Sequence, residues 1–197
     1  MNKSYFIVFE GIDGSGKSSY IDLLIEDLEE MGHEVYRTKE QTTGNIGFFI
    51  TNYAEGGKRN LAPETEALLF AADRMEHQKK IEEALIKGNT VVSDRYLHSS
   101  LAYQGALGVD LDWIRKINFK VIMPDLVILL DIDPQSSLER LKNRSKTVFE
   151  NKDYLKRVRT TYLKLAENGE MVVIKGNRDK EQVYRDILYH VKSMLSN

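Results

Sequence analysis

The sequence contains no cysteine. That absence removes disulfides, thiolate nucleophiles and cysteine-ligated zinc from consideration, and four scattered histidines do not replace them. No apolar run approaches the ~18–20 residues that cross a bilayer. A strong excess of either charge is also missing. Lys and Arg number 28 against 30 Asp and Glu, a formal net charge of -2, so the basic face of a phosphate-neutralising nucleic-acid binder is not expected. The amino terminus has a short apolar stretch but no small-residue cleavage pattern, and it runs straight into a glycine-rich turn. It reads as a first strand rather than a signal peptide. The expected compartment is the cytoplasm, with neither a membrane nor a nucleic-acid polymer as partner.

What is present is an ordinary globular composition, 42% hydrophobic and 29% charged over 197 residues, enough for one compact domain spanning 1–197 and short for two. Short apolar runs rich in β-branched or aromatic residues predict buried strands at Tyr5–Glu10, Glu34–Thr38, Thr90–Ser93, Leu126–Asp131 and Met171–Lys175. Between them, helical spacing predicts helices over Lys17–Met31, Glu64–Lys87, Pro134–Leu141, Tyr154–Asn168 and Asp179–Leu195. Gly32 and Gly88 serve as stops, and Pro134 as a start. Strands buried on both faces and separated by helices mean a parallel sheet wound on both sides. No internal repeat or low-complexity tract interrupts the pattern. Residues 39–63, with several glycines, and 142–152, with several Lys and Arg, lack clean periodicity and are expected to be mobile loops.

The chain from Gly11 to Ser18 reads Gly-Ile-Asp-Gly-Ser-Gly-Lys-Ser and fits G-x-x-x-x-G-K-[ST]. Gly11, Gly14 and Gly16 let backbone N–H groups turn inward, so Ile12, Asp13 and Ser15 complete a ring of donors around phosphate oxygens. Lys17 is expected to reach the β and γ phosphates and Ser18 to hold Mg²⁺. The helix that follows points its positive end at the same anion. An apolar strand before the motif and an amphipathic helix after it supply the required context. Together they predict a three-layer α/β P-loop NTPase fold with a central parallel sheet of about five strands. Asn151-Lys152-Asp153-Tyr154 misses the guanine-reading N-K-x-D, which points to ATP as donor. A small P-loop domain with a basic mobile segment suits a kinase whose acceptor itself carries phosphate.

A second cluster, Ser93-Asp94-Arg95-Tyr96, closes a buried strand, the edge where open α/β sheets bind ligands. Asp94 can hold Mg²⁺ through water, and Arg95 can fork onto phosphate oxygens. A local Asp94–Arg95 ion pair would be the plainer account. Asp131 is a rival metal-side acid, but the following Ile132-Asp133-Pro134 reads as helix entry, so Asp94 is preferred.

These residues resemble the thymidylate kinase family over nearly the whole chain. Phe9 to Ser18 looks like its phosphate loop, and Thr65 to Arg74 (Thr-Glu-Ala-Leu-Leu-Phe-Ala-Ala-Asp-Arg) like its monophosphate-binding helix. Asp94-Arg95-Tyr96 with Ser99 to Gly105 looks like its D-R-[YH]…S-x-x-A-Y-Q segment. Met123 to Leu126 leading into Asp131, and Arg157 to Arg159 with Tyr162, match the strand and helix that follow. The resemblance implies ATP-dependent phosphorylation of dTMP with Mg²⁺, and a homodimer. It implies that Phe70 stacks on thymine, that Arg74 and Ser100 bond the base edge, and that Ser99 and Gln104 lie near the substrate. Asp13 would meet the 3′-hydroxyl or the reacting phosphate, Tyr103 would face the sugar, and Arg95 would grip the acceptor phosphate. Isolated aromatics such as Phe70 and Tyr103 could equally be core residues, and Arg74 could pair with Glu66 or Glu76. His77 and His98, without a partner constellation, are expected to be surface or packing residues.

The sequence departs from the family pattern at three places. Lys39-Glu40-Gln41-Thr42-Thr43-Gly44 lacks the proline and glycine pair of R-E-P-G-G-T, so Arg37 or Lys39 is expected to supply charge there. The lid, around 142–153, is short, with Arg140, Lys142, Arg144 and Lys146 as its cations. Gly14 stands where one subgroup carries arginine, so a lid residue, Arg144 first, is expected to be the catalytic cation. A deoxynucleoside kinase, with Glu40 as base, and a non-catalytic nucleotide-binding protein are the alternatives.

Overall fold

The computed structural model describes residues 3–56, 58–141, 147–149 and 151–196. Five strands, β1 Phe6–Glu10, β2 Val35–Lys39, β3 Thr90–Asp94, β4 Leu126–Asp131 and β5 Val172–Lys175, form one parallel sheet in the order β2-β3-β1-β4-β5. Each lies within two residues of its predicted span. The middle strand, β1, is buried along its whole length. Its alternate residues face two separate cores. On one face Ile7 and Phe9 join α1 (Lys17–Glu30) and α8 (Lys180–Leu195) through Ile21, Leu24, Val183 and Ile187. On the other, Phe6 and Val8 meet α3 (Pro63–Ile86), α4 (Leu97–Gly105) and α7 (Lys152–Glu167) through Ile81, Leu101, Leu155 and Val158. Three layers result, as expected.

Register places the chemistry. β1 pairs with β3 as Phe9↔Asp94 and with β4 as Glu10↔Leu129. The carboxyl end of β1 therefore lies between those of β3 and β4, where the chain's winding reverses and a crevice opens.

Residues 39–63 correct the expectation of a loop, because α2 spans Asn45–Glu55 within them. Its buried residues, Gly47, Ile50 and Ala54, follow helical spacing. Gly47 hides the signal: a Cβ there would drive into the backbone of Thr42, so the position must be glycine for packing reasons. Two more short helices, α4 and α5 (Leu111–Ile117), also lie outside the predicted set. Seven of the nine residues of α4 are buried, which erases the apolar stripe that sequence periodicity needs. α6 covers Pro134–Arg140 and is capped by Asp133. Asn151 accepts hydrogen bonds from the N–H groups of Asp153 and Tyr154, so the near match to a guanine motif is a helix cap of α7. None of the described helices is long and apolar enough to cross a membrane.

Candidate active site

The phosphate loop joins β1 to α1. Gly11 has φ 141°, and a Cβ there would lie 2.7 Å from the Leu130 carbonyl. Only glycine suits that turn. α1 begins without a side-chain cap and without an acidic residue in its first turn. Its first N–H groups are consequently free for an anion. Lys17 is 6% exposed, with Nζ donating to the Gly11 carbonyl at 3.2 Å and standing 3.8 Å from Asp94 Oδ1. Burial lowers its pKa, Arg95 adds to the effect, and Asp94, Asp13 and Glu10 oppose it. A phosphate chain arriving here meets a buried ammonium held by the Gly11 and Ile12 carbonyls and by Asp94.

Ser18 Oγ donates to Asp94 Oδ2 at 3.1 Å, while Asp94 Oδ1 is buried without a hydrogen bond. A hydroxyl and a carboxylate oxygen are hard donors of the kind Mg²⁺ takes alongside phosphate oxygens and water. The described residues contain no group of three or more His, Cys, Asp or Glu that could hold an ion alone. That donor set fits a cation that arrives with its nucleotide. Asp131 is engaged otherwise: Arg159 Nε and Nη2 clamp its two oxygens at 2.5 and 2.9 Å.

Arg95 follows Asp94 with φ 74°, a strained conformation for a residue with a side chain, costing on the order of 1–3 kcal/mol. The strain aims its guanidinium across the crevice. Nη2 donates to Asp13 Oδ1 at 2.9 Å and to the Tyr103 hydroxyl at 3.2 Å, and Nη1 donates to Ser99 Oγ at 3.0 Å. Burial works against its charge, but Tyr103, Asp13, Tyr162 and Asp94 keep it firmly protonated. Burial also raises the Tyr103 and Tyr162 hydroxyls, so both remain proton donors.

Two cavities meet at Asp13. One, of about 330 Å³, is lined by the phosphate loop, Lys39 and Asp94. The other, of about 50 Å³, is lined by Phe70, Arg95, Ser99, Ser100, Tyr103 and Gln104, joined by Gln41 and Phe149. Every expected substrate residue except Arg74 borders this second space. Arg74 is fully buried behind it: Nε and Nη2 donate to Glu40 Oε2 at 2.9 and 2.6 Å, and Nη2 reaches Ser100 Oγ at 3.1 Å. Its partner is thus Glu40 rather than Glu66 or Glu76. Neither atom of the buried Gln104 amide has a hydrogen-bond partner. A roomier cavity among the described residues, about 600 Å³ along β2, is lined by Arg37 and Lys39 but by no residue of the phosphate loop or of the Phe70 cavity. Size alone does not mark the chemistry here.

Arg37 pairs with Asp22, whereas Lys39 borders the phosphate-loop cavity, which separates the two proposed substitutes for the family arginine. Arg140 Nη1 donates to the Gly14 carbonyl at 3.2 Å. Lys142, Arg144 and Lys146 lie outside the described residues. His77 and His98 are not surface residues. His77 Nδ1 is 3.1 Å from Glu40 Oε1, and His98 Nε2 is 3.5 Å from Glu170 Oε2, both inside the protein.

Sequence reasoning assigned no role to Glu10. Its buried carboxylate accepts hydrogen bonds from the N–H groups of Tyr96 and Ser99 at 2.9 and 3.0 Å, from Ser99 Oγ at 2.6 Å and from the Tyr162 hydroxyl at 2.7 Å. It caps α4 and so positions the segment carrying Ser99, Ser100, Tyr103 and Gln104. The available signal was an acid closing a wholly apolar buried strand, which is costly unless paired.

The comparisons agree with this geometry. The family model for thymidylate kinase matches residues 9–187. A probable thymidylate kinase of Pyrococcus horikoshii is 46% identical across 98% of each chain, and one of Thermococcus gammatolerans is 45% identical across 93% of each. The probable thymidylate kinase of Methanocaldococcus jannaschii is 42% identical across 98% of this chain and 99% of its own. A match spanning the phosphate loop, the Asp94–Arg95 turn and α7 at once leaves one assignment: this chain belongs to the thymidylate kinase family.

Proposed function

We infer that this enzyme transfers the γ-phosphoryl group of ATP to dTMP, giving ADP and dTDP. The observation that carries the reading is Arg95, held by Asp13 of the phosphate loop on one side and by Tyr103 and Ser99 of the small cavity on the other. One guanidinium faces both substrates. The new bond joins an acceptor phosphate oxygen to the γ phosphorus, and the bond to the β–γ bridging oxygen breaks. A phosphate monoester is largely a dianion at neutral pH and needs no base. Glu40, the acid a nucleoside kinase would require, is taken up by Arg74 and His77. That favours a monophosphate acceptor over thymidine.

Lys17 and Arg95 gather negative charge before and during transfer, and their fixed positions cost no reorganisation at the moment of reaction. Ser18 and Asp94 would hold Mg²⁺, which supplies charge neutralisation between the phosphates. Phe70 stacks on the base, Ser100 and Gln104 address its polar edge with Arg74 behind Ser100, and Tyr103 faces the sugar. Arg144 would complete the charge from the lid over 142–153, within a single domain. A homodimer is in keeping with the apolar residues Phe48, Phe49 and Leu68, exposed by 63%, 53% and 49%. The cytoplasm is the proposed location.

The test is ADP release with dTMP, with thymidine and with no acceptor. Release that depends on dTMP supports the reading; release with thymidine instead would assign a nucleoside kinase, and none at all a non-catalytic nucleotide binder.

A further inference from the structure

Arg95 holds a backbone conformation that a side chain disfavours, φ 74°. Such a turn persists only where its surroundings over-determine it. Here they can be traced bond by bond. The Arg95 N–H donates to the Phe9 carbonyl at 2.8 Å, and the Arg95 carbonyl accepts from Ser93 Oγ at 2.8 Å. The next N–H along the chain, that of Tyr96, donates to Glu10 Oε1 at 2.9 Å. The turn is therefore gripped on both sides by the end of β1, once through backbone and once through the Glu10 side chain.

The other oxygen of Glu10 acts on the Arg95 side chain. Ser99 has a single hydroxyl proton, and it goes to Glu10 Oε2 at 2.6 Å. The Tyr162 hydroxyl donates to the same oxygen at 2.7 Å, so its 3.0 Å approach to Ser99 Oγ brings no further proton. Burial, with Glu10 beside it, holds that tyrosine hydroxyl well above its ordinary value, and its proton stays in place. Ser99 Oγ is left with lone pairs only, and Arg95 Nη1 donates to them at 3.0 Å. A Ser99 proton turned the other way would face a guanidinium that can only donate. With Nη2 bound to Asp13 and Tyr103, the donors left over among the described residues are Nε and the second proton of Nη1. Those are the ones a phosphate can take. Glu10 is fully buried and borders neither of the two cavities that meet at Asp13. A buried carboxylate is costly unless fully bonded, and the bonds of this one converge on a single arginine turn.

We propose that Glu10 is the positioning residue for Arg95. Oε1 fixes the turn that aims the guanidinium, Oε2 fixes its direction through Ser99, and Tyr162 ties both to α7. The proposal rests on Arg95 gripping the acceptor phosphate during transfer from ATP to dTMP, and it deepens that reading.

A double-mutant cycle between Glu10→Gln and Arg95→Ala tests it, read in kcat/KM for dTMP and in KM for ATP. Glu10→Gln keeps the size of the side chain but turns an amide N–H₂ toward groups that donate. It is expected to lower kcat/KM for dTMP by about 10- to 100-fold, the cost of a reacting contact misplaced by about an ångström, with KM for ATP within about threefold. On top of Arg95→Ala the same substitution should change kcat/KM by less than about twofold, because no guanidinium remains to be positioned. Tyr162→Phe removes one donor to Oε2 at nearly constant volume and should lower kcat/KM for dTMP by about 3- to 10-fold. It carries the same cycle if Glu10→Gln does not fold. A Glu10 that merely holds the fold together would give equal losses with and without Arg95, and that result overturns the proposal. So does an unchanged kcat/KM for dTMP in the folded variant, or a rise in KM for ATP matching the loss, which would put the damage in the adjoining phosphate loop. Wild-type turnover of dTMP is measured first. Its absence fails the functional reading and takes the proposal with it, whereas failure in the variants alone overturns only the proposal.

Discussion

The two halves of the crevice are built on opposite plans. Around the phosphate loop the structure is open: a cavity of about 330 Å³, uncapped helix N–H groups and a buried lysine whose pKa is lowered by that burial. Around Phe70 the structure is closed upon itself, with a space of about 50 Å³ among edge-packed rings. The donor side is therefore ready for its ligand, and electrostatic catalysis asks for that readiness. On the proposed reading the acceptor side must part its rings before dTMP enters, and the apparent affinity for dTMP would carry that cost. Substitutions should consequently act on turnover at one end and on acceptor affinity at the other.

The largest expected effect tests the open half. Lys17→Ala should lower kcat by on the order of 10³-fold, the upper range for one charge-stabilising donor, in coupled ADP release. Circular dichroism should show a folded protein, since the Lys17 ammonium touches only the Gly11 and Ile12 carbonyls and Asp94. Near-normal turnover by that folded variant would break the comparison outright.

Arg95→Ala comes next, with kcat/KM for dTMP falling by about 10²-fold while KM for ATP changes far less. Equal changes in both would mean that Arg95 does not divide the halves as its bonds to Asp13 and Tyr103 suggest.

The closed half is sharpened by a substrate series. One methyl group in an apolar site is worth about 10- to 200-fold, so dUMP should be a weak but measurable acceptor. UMP should be weaker still, because an added 2′-hydroxyl meets Tyr103, and dGMP should not react. Equal kcat/KM for UMP and dUMP would remove Tyr103 as the sugar gate.

A smaller effect is expected at Gln104, whose amide is buried without partners. Gln104→Met should raise KM for dTMP by about tenfold while leaving Tm unchanged or higher, since an unsatisfied buried amide costs about 1–3 kcal/mol. A drop in Tm with unaltered KM would reassign Gln104 to packing. Smallest of all, Asp131→Asn loses its pairing with the partly exposed Arg159. That should cost about 1 kcal/mol or less, seen as a few degrees in Tm with near-normal kcat. Asp94→Asn should reverse this, with Tm held and kcat reduced.

Much of this was legible in the residues. The inner strands β1, β3 and β4 were found because burial on both faces forces continuous apolar runs. The edge strands β2 and β5, expected to be buried too, are mostly not and were found by their β-branched and aromatic residues. The phosphate loop was found because backbone donors can ring a phosphate only at particular glycine positions. α2 and α4 were missed for the converse reason. α2 turns a glycine toward the Thr42 backbone, and α4 is buried on nearly every side, so neither carries a one-sided stripe. The role of Glu10 was equally hidden, since its partner Tyr162 lies far away in sequence.

By itself the sequence determined the layered α/β fold and the phosphate-loop motif, and it put forward Asp94 as the metal-side acid and a set of residues that the fold gathers around one small cavity. Each depends on local geometry or on neighbours a few positions apart, and both are written in residue order. Only the tertiary structure decided that Arg74 turns inward to Glu40, that Asp131 belongs to Arg159, and that Phe149 comes to lie beside Phe70. Those pairings join segments from 28 to 79 residues apart. Which charges meet and which rings touch at such separations follows from how α3, α4 and α7 pack on one face of the sheet, and no spacing along the chain encodes it.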